Sequence, residues 1–428
     1  MYSDAPRAKK IEGVSDAVQV ASGRSRACAR NSVGEVICWD EEGAEQVAGV
    51  IGAIDVAVGP TMACAALRSG RAVCWATRLA PNTPPIPTEV GGVQDAVKVA
   101  AGFYHACALT RAGQVRCWGD DSEGQVGVGS KDAVVFSSGY DDGEYWVAEE
   151  LLGDGKPAGA VADAAFRKYQ EGRRRSILWC LAHGGGVDAE HTLTLQLGFD
   201  DAGRVDAAVL AASDLEPAQA VDLTSCVQGS YVVPDLLRGA AAPAPLQVRL
   251  WMAPVWQARL KSAPVFDDAI ALSARGYLTC AVSSDGEGYC WGASHALDGP
   301  GVYGTQLEAR DGPGYTDLTN LEDISVGWRQ VCGRRRDGGH TCMGANGEGQ
   351  FGDGPPYSKE YTARSIDHIG KFAYVSVGPT LDCGITVDGH VMCWGNNDGG
   401  RLGIGSTRGG PQRAALVQGL PQATLSPP

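Results

Sequence analysis

Residues 102–119 read Gly-Phe-Tyr-His-Ala-Cys-Ala-Leu-Thr-Arg-Ala-Gly-Gln-Val-Arg-Cys-Trp-Gly, and this phrase occurs in six copies along the 428-residue chain. In every copy the second cysteine follows the first by ten positions, and a glycine lies six positions after the first cysteine. Fixed spacing over six copies indicates a repeat architecture. The cysteine pairs are Cys28 and Cys38, Cys64 and Cys74, Cys107 and Cys117, Cys280 and Cys290, Cys332 and Cys342, and Cys383 and Cys393.

Each copy has the pattern of a β-hairpin. A three-residue loop such as residues 111–113 takes glycine at its last, left-handed position. Pairing then places Cys107 opposite Cys117 on one side of the ribbon, close enough for a cross-strand disulfide. The alternative is a set of free thiols packed as small hydrophobic side chains. We expect disulfides because the pairing holds in all six copies, and disulfides indicate an oxidising compartment.

The segments around each hairpin complete one structural unit. An alternating apolar segment ending in glycine, such as residues 95–102, precedes the hairpin and predicts an inner strand. A polar, glycine-rich turn such as residues 119–129 follows the hairpin, and a short edge strand completes the unit. Strand, hairpin, turn and outer strand make one propeller blade, and radial repetition protects the sheet edges. The tail at residues 417–426 repeats the inner-strand phrase, so the pattern is compatible with six blades or seven.

The motifs Gly-x-x-His-x-Cys-Ala-Leu, Gly-x-Val-x-Cys-Trp-Gly and Gly-Gln-Val-Gly closely resemble the repeat of the RCC1 family, and in particular its cysteine-paired bacterial branch. The resemblance implies a mainly β fold, an RCC1-like β-propeller with blades 1–3 in residues 10–130 and the remaining blades and closing strand in residues 263–428. The family includes a nucleotide exchange factor for a small GTPase, a protein inhibitor of β-lactamase, and photoreceptors. The exchange factor's basic tail has no counterpart in this sequence.

The propeller pattern is interrupted once. Residues 131–159 are acidic and glycine-rich and are interpreted as a linker. Residues 160–262 predict a small α+β domain in the order α-β-β-α-β, with helices at 160–180 and 213–228 and strands at 191–199, 204–211 and 246–252. This order resembles the C-terminal domain of TonB-like proteins and its two-cysteine version in myxobacterial motility-type proteins. The resemblance implies a seventh disulfide, between Cys180 and Cys226, and a contact with an envelope protein.

Charge and hydrophobicity exclude several functions. The net charge is −14, which disfavours nucleic acid as a partner because such proteins carry a basic face. No apolar run approaches the length of a membrane span. The start, Met1 to Pro6, has no apolar leader region, and we expect that any signal peptide or lipid anchor has been removed. The predicted location is extracytoplasmic: secreted, periplasmic or associated with the outer membrane.

Motifs for catalysis or metal binding are missing from the sequence. It contains no His-Glu-x-x-His, Cys-x-x-Cys or Gly-x-Ser-x-Gly pattern and no phosphate-binding loop, so we expect no catalytic residues, no metal and no cofactor. His105 is interpreted as a satisfied structural histidine. The clusters at residues 120–124 and 396–399 have the oxygen-rich composition of calcium sites, but Asx-rich turns explain them equally simply, and we favour turns.

The rim loops between the inner strand and the first cysteine are the strongest candidates for function, because aromatic residues and arginine concentrate binding energy. We predict a non-enzymatic, extracytoplasmic scaffold that binds another protein through this rim, through the inserted domain, or through both. The alternatives are a glycan or peptidoglycan binder, and an enzyme or enzyme component with a site near His183, His191 and residues 141–144 where the insert meets the propeller. The candidate rim residues are Arg24, Arg26, Met62, Phe103, Tyr104, Tyr277, Trp328 and Arg329.

Overall fold

The structure is a computed structural model that divides into two compact units. The first unit comprises Met1–Cys117, Glu123–Val128 and Lys261–Pro428, and the second comprises Trp118–Ser122 and Gly129–Leu260. The residues that the structure describes are 10–23, 26–40, 43–77, 85–119, 124–127, 145–152, 191–199, 205–215, 246–254, 264–293, 310–328, 330–353, 359–420 and 422, with positions 217, 220, 221, 224 and 225.

The first unit is built from six small antiparallel sheets, numbered here as blades 1 to 6 in chain order. Blade 1 contains β1 (Ala17–Ser22), β2 (Ala27–Asn31), β3 (Val36–Trp39) and β4 (Ala44–Gln46); blade 2 contains β5 (Ala53–Val58), β6 (Met62–Leu67), β7 (Ala72–Ala76) and β8 (Thr88–Glu89); blade 3 contains β9 (Ala96–Ala101), β10 (His105–Thr110) and β11 (Val115–Gly119). In the second unit lie β12 (Tyr145–Leu152), β13 (His191–Phe199), β14 (Val205–Ser213) and β15 (Leu246–Pro254). Blade 4 contains β16 (Ala269–Arg275), β17 (Tyr277–Ser283), β18 (Gly288–Ala293) and β19 (Arg310–Tyr315); blade 5 contains β20 (Leu321–Val326), β21 (Gln330–Arg335), β22 (His340–Ala345) and β23 (Lys359–Ser365); blade 6 contains β24 (Phe372–Val377), β25 (Leu381–Thr386), β26 (Val391–Asn396) and β27 (Pro411–Leu416).

The predicted hairpin is present in every blade. In blade 4, for example, Cys280 is paired directly with Cys290 across β17 and β18. The loop glycine has the predicted left-handed backbone, as at Gly113 with a φ of 80°. All six predicted cysteine pairs of the propeller form disulfides, with Cα–Cα distances of 3.9–4.1 Å. The predicted seventh pair, Cys180 and Cys226, lies outside the described residues.

Blade 3 shows how the chain accommodates the interruption. After β11 the chain leaves the propeller unit, and it returns to pair with the same strand at residues 265 and 266. The Val115 N–H donates to the Phe266 carbonyl at 2.7 Å, and the Val265 N–H donates to the Val115 carbonyl at 2.8 Å. The insertion therefore occupies the place in the sequence between the hairpin of blade 3 and its outer strand.

The hydrophobic core of the propeller unit lies between consecutive blades. One cluster joins blades 1 and 2, another joins blades 3 and 4, and two more join blades 4 to 5 and 5 to 6. Three of the tryptophans that follow the second cysteines, Trp75, Trp291 and Trp394, are buried between the blades. Trp394 donates from Nε1 to the Gln350 carbonyl at 2.6 Å, so it fastens blade 6 to the glycine-rich turn of blade 5.

The second unit contains a four-stranded antiparallel sheet in the order β12-β15-β13-β14. The three strands expected in the insert are present, but part of the expected linker, residues 145–152, is itself strand β12 and pairs with β15. The first expected helix, at 160–180, lies outside the described residues. Residues 217, 220, 221, 224 and 225 are helical, within the second expected helix. The α+β assignment and the likeness to TonB stay predictions.

Removal of one propeller disulfide should lower stability measurably. The C332S/C342S double variant frees a loop with a sequence separation of 10 residues, which corresponds to about 2–3 kcal/mol on the chain-entropy account. Denaturant unfolding of the wild type and the variant, both unreduced, measures the difference. Equal free energies of unfolding would show that this cross-link does not constrain the unfolded chain.

Candidate functional site: the rim of blades 3 to 5

The candidate rim residues fall into three groups. Met62 is fully buried, so its side chain is not part of the exposed rim. Arg26 forms ion pairs with Asp40 at 3.5 Å and with Glu45, both in its own blade. Arg24 and Arg329 lie outside the described residues. The four remaining candidates, all aromatic, lie together.

These four residues, Phe103, Tyr104, Tyr277 and Trp328, form what we call the aromatic platform. The Phe103 ring lies at the centre, with its centroid 4.9 Å from Trp328 and 5.2 Å from Tyr277, both in edge-on geometry. Tyr104 packs at 6.1 Å from Phe103 and 6.5 Å from Tyr277. The platform spans the rim loops of three consecutive blades, because Phe103 and Tyr104 belong to blade 3, Tyr277 to blade 4 and Trp328 to blade 5.

A shortened loop in blade 4 brings the rings of blades 3 and 5 together. Gly276 precedes Cys280 by four positions, whereas the corresponding spacing is five in the other blades. The Phe103 N–H donates to the Gly276 carbonyl at 2.8 Å, which draws the blade 3 loop over the shortened turn. Gly276 has a φ of 62°, and a Cβ at this position would lie 3.9 Å from the Trp328 ring. Phe103 and Trp328 therefore meet above a turn that carries little bulk.

The platform is accessible from solvent although its rings contact each other. Trp328 is 36% exposed, and the other three aromatic residues are half-buried. Large aromatic side chains with few rotatable bonds lose little conformational entropy when a partner covers them. Such residues dominate the binding energy of protein interfaces when they lie in a central, well-packed patch. The platform therefore has the composition of a recognition surface.

A buried histidine lies next to two of the platform residues in the sequence and connects blade 3 to blade 4. His105 follows Tyr104 in the loop and has no exposed surface. Its Nε2 lies 2.8 Å from the Thr279 Oγ1 of blade 4, and that hydroxyl lies 3.0 Å from the Gln125 carbonyl. Because the hydroxyl proton goes to the carbonyl, Nε2 must carry the ring proton and donate to Thr279. Burial lowers the pKa of His105 from 6.5 to about 3, so the ring is neutral at physiological pH.

A second polar pair occupies the equivalent positions between blades 5 and 6. The Gln330 Nε2 donates to the Asp382 carboxyl, whose other oxygen accepts the Gly378 N–H at 3.0 Å. Burial raises the pKa of Asp382 from 3.8 to about 8, although these bonds and the charge of Arg275 lower it in part. Both pairs follow the same rule. The residue two positions before the first cysteine of one blade binds the residue one position before the first cysteine of the next blade.

Sequence reasoning identified His105 as structural but missed Thr279, Gln330 and Asp382. The available signal was a comparison of two positions in neighbouring repeats. At these two junctions a polar residue two positions before one first cysteine is matched by a polar residue one position before the first cysteine of the next blade. Met62 illustrates the apolar case, since the matching residue of blade 3 is the buried Ala106. These repeat positions therefore contribute to the contacts between blades, and the four aromatic candidates lie at the loop positions before them.

The other sequence candidates are used locally. Asn397 Oδ1 accepts the Leu402 N–H at 3.0 Å and Asp398 Oδ1 accepts the Gly410 N–H at 2.8 Å, as in Asx-rich turns. His191 Nδ1 lies 3.4 Å from an Asp214 carboxylate oxygen. His183 and residues 120–123 and 141–144 lie outside the described residues. Within the described ranges no three His, Cys, Asp or Glu side chains are grouped to hold a metal ion, and no helix could span a membrane.

Acidification should destabilise the protein through His105. Its folded-state pKa of about 3 lies below the unfolded value of 6.5, so the unfolded chain binds the proton first as pH falls. The contribution of the neutral His105 ring to the free energy of unfolding is therefore complete above pH 6.5. Below that pH the protein loses up to about 1.4 kcal/mol of this free energy per pH unit. Denaturant unfolding between pH 7 and pH 4 should show a shallower acid limb for H105Q than for the wild type. The exposed control H368Q should keep the wild-type slope, and equal slopes for H105Q and wild type would contradict the assignment.

Comparisons with known proteins agree with the propeller fold. A family model described as the regulator of chromosome condensation (RCC1) repeat matches residues 96–125. No curated protein sequence matches the chain. Among solved structures, Prp20p of Saccharomyces cerevisiae is similar with 12% identity and a TM-score of 0.51, covering 94% of this chain and 76% of that one. Yeast RCC1 (Prp20) in complex with Kap60 has 12% identity and a TM-score of 0.53, with coverages of 94% and 75%. Human WBSCR16 has 12% identity and a TM-score of 0.55, with coverages of 96% and 84%.

At this level of identity the similarity concerns the fold. The structural relatives and the repeat match agree with the six hairpin blades and with the predicted propeller. Residues 96–125 carry an RCC1 repeat, and the chain has the fold of an RCC1-type β-propeller.

Proposed function

We propose that this protein is a non-enzymatic scaffold of an extracytoplasmic compartment that binds another protein through the aromatic platform. The observation that carries the proposal is the contact of Phe103 with Trp328 at 4.9 Å across the shortened loop of blade 4. Four aromatic side chains from three blades thereby form one continuous surface. A core function alone would have buried these rings, as it buries Trp75 and Trp291.

The chemistry of the platform favours a protein partner. Its rings present apolar faces, and the hydroxyl groups of Tyr104 and Tyr277 add polar atoms, which is the mixture found in the central residues of protein interfaces. One structural relative is described as a protein binder in two solved structures: yeast Prp20p by its binding of Gsp1p and histones, and the same protein, named yeast RCC1 (Prp20), by its complex with Kap60. The relatives share the fold only, so the partner of this chain must follow from its own surface.

The disulfides support the location. Six cross-strand disulfides persist in an oxidising environment and would be reduced in a cytosol. We infer that the partner is a secreted, periplasmic or cell-envelope protein. The resemblance of residues 160–256 to TonB-type domains supports the insert as a second contact with such a protein.

Loss of the platform should abolish capture of the partner. Immobilised wild-type protein is incubated with the secreted and envelope fraction of the source organism, beside F103A, W328A and the control I51A, whose replaced side chain is 80% exposed on blade 2. A protein retained by wild type and I51A should be lost from F103A and W328A, with affinity reduced at least about 30-fold for a loss of 2 kcal/mol. Binding of purified glycan or peptidoglycan by wild type, with no protein dependent on Trp328, would replace this function with glycan recognition.

The geometry of the platform can be tested without removing an aromatic residue. Insertion of one serine between Gly276 and Tyr277 restores the loop spacing of the other blades and should separate Phe103 from Trp328. We expect binding to fall as in W328A while the melting temperature stays near that of the wild type. Unchanged binding by the insertion variant would show that the individual rings, and not their contact, recognise the partner.

A further inference from the structure

The residue that ends the first strand of each blade is unusual in blade 4. In blades 2, 3, 5 and 6 this residue, directly before the glycine, is apolar and at most 8% exposed: Val58, Ala101, Val326 and Val377. Blade 1 has Ser22 at this position, whereas blade 4 has Arg275, which is half-buried. Because a small side chain is sufficient for packing between blades, packing alone does not account for a guanidinium group in blade 4.

Arg275 lies at the edge of the aromatic platform. Gly276 follows it directly, and the Gly276 carbonyl accepts the Phe103 N–H at 2.8 Å. The next residue, Tyr277, is a member of the platform. A Cβ on Gly276 would lie 3.9 Å from the Trp328 ring. The backbone of Arg275 is therefore adjacent to the shortened loop above which Phe103 and Trp328 meet.

The guanidinium group of Arg275 has little counter-charge from the described part of the chain. Among the described residues, Asp382 is the carboxylate whose charge acts on Arg275, and its oxygens bind other groups. Gln330 Nε2 donates to one oxygen, and the Gly378 N–H donates to the other at 3.0 Å. Burial lowers the pKa of Arg275 and raises the pKa of Asp382 to about 8. Asp382 is therefore mostly protonated at neutral pH and leaves the charge of Arg275 largely uncompensated.

The surroundings of Arg275 fit a negatively charged group. A partly desolvated guanidinium is stabilised by a partner that supplies both negative charge and hydrogen-bond acceptors. A carboxylate supplies both, because its two oxygens match the parallel N–H groups of an arginine side chain. The adjacent platform offers ring faces to a neighbouring apolar side chain. Together these features fit a peptide segment in which an acidic residue lies next to an apolar one.

We propose that Arg275 determines which partner the platform accepts, by binding the side-chain carboxylate of an aspartate or glutamate in a peptide segment of that partner. An apolar side chain next to this acidic residue packs on Phe103 and Trp328. The inference rests on the proposed protein-binding function and adds the charge of the partner to it. Aromatic rings alone accept neutral segments as well, so the preference for acidic segments comes from Arg275.

The test uses the full chain and a displayed library of short random peptides. Peptides are selected on the wild type, and those that no longer bind F103A or W328A are kept. We expect aspartate or glutamate next to an apolar residue to be enriched among them. The best peptide is then synthesised in its acidic form and in the matching amide form, with Asp→Asn or Glu→Gln. Fluorescence anisotropy gives the Kd of both peptides for each protein.

The wild type should bind the amide peptide at least about tenfold more weakly than the acidic peptide. R275M should bind both peptides equally, with the affinity that the wild type has for the amide peptide. R275K keeps the charge but not the paired N–H groups, so its preference should be intermediate. The control R111M, which changes an exposed arginine in the hairpin loop of blade 3, should keep the wild-type preference.

Two kinds of failure can be told apart. If the selected peptides show no acidic enrichment, or if the wild type binds the amide peptide as tightly as the acidic one, the role of Arg275 is wrong and protein binding by the platform stands. A full preference retained by R275M has the same meaning, because another cation then binds the carboxylate. If no selected peptide depends on Phe103 or Trp328, the proposed function and this inference fail together. The peptide comparison on the wild type does not depend on the folding of any variant.

Discussion

Close approach of bare backbone between neighbouring blades is the constraint on which the propeller unit depends. The glycines that end the first strands of blades 1 to 3, Gly23, Gly59 and Gly102, have no room for a side chain. A Cβ on Gly23 would lie 2.6 Å from the Gly59 carbonyl oxygen, and one on Gly102 would lie 2.7 Å from the Gly276 carbonyl oxygen. At Gly59 a Cβ would overlap the Gly102 carbonyl oxygen. Since real side chains do not tolerate such distances, these positions must be glycine for the blades to pack at this spacing.

The rim loops begin directly after these glycines, so the packing constraint also positions the candidate site. Phe103 directly follows Gly102 in the sequence, and Trp328 directly follows Gly327. Tight approach fixes where each loop starts, and the shortened loop of blade 4 decides which loops meet. The polar pair of His105 and Thr279 connects blades 3 and 4, which carry three of the four platform residues. The candidate rim and the packing between blades therefore depend on adjacent residues.

Local features were predictable from the sequence because they repeat. Hairpin register, loop glycines and the six propeller disulfides follow from spacings within one copy. The rim was predicted only as a set of loops, and Met62 was included although it is fully buried. The third loop position begins the second strand, where alternation turns its side chain towards the next blade. The one-residue deletion before Cys280 was visible, but its effect on Phe103 and Trp328 needs the distance between blades.

Features that depend on several blades at once could not be read from one copy. Val20 of β1 is 61% exposed, whereas Val56 and Val99 at the same position of the next two first strands are buried, and no spacing within one copy records this difference. Strand β12 was missed for a different reason. Its residues, Tyr145–Leu152, lie in an acidic, glycine-rich context, and their strand partner β15 is about 100 residues away. Long-range pairing outweighed the local composition.

The dependence on bare backbone is tested most directly by the unfolding free energies of two alanine variants. Gly59→Ala places a methyl group against the Gly102 carbonyl, whereas Gly91→Ala adds one where no heavy atom lies within 4 Å. We expect Gly59→Ala to lose about 2–4 kcal/mol or to fail to fold, and Gly91→Ala to stay within about 0.5 kcal/mol of the wild type. Equal stability of Gly59→Ala and Gly91→Ala would contradict the account, because the blades would then not depend on backbone contact at the rim.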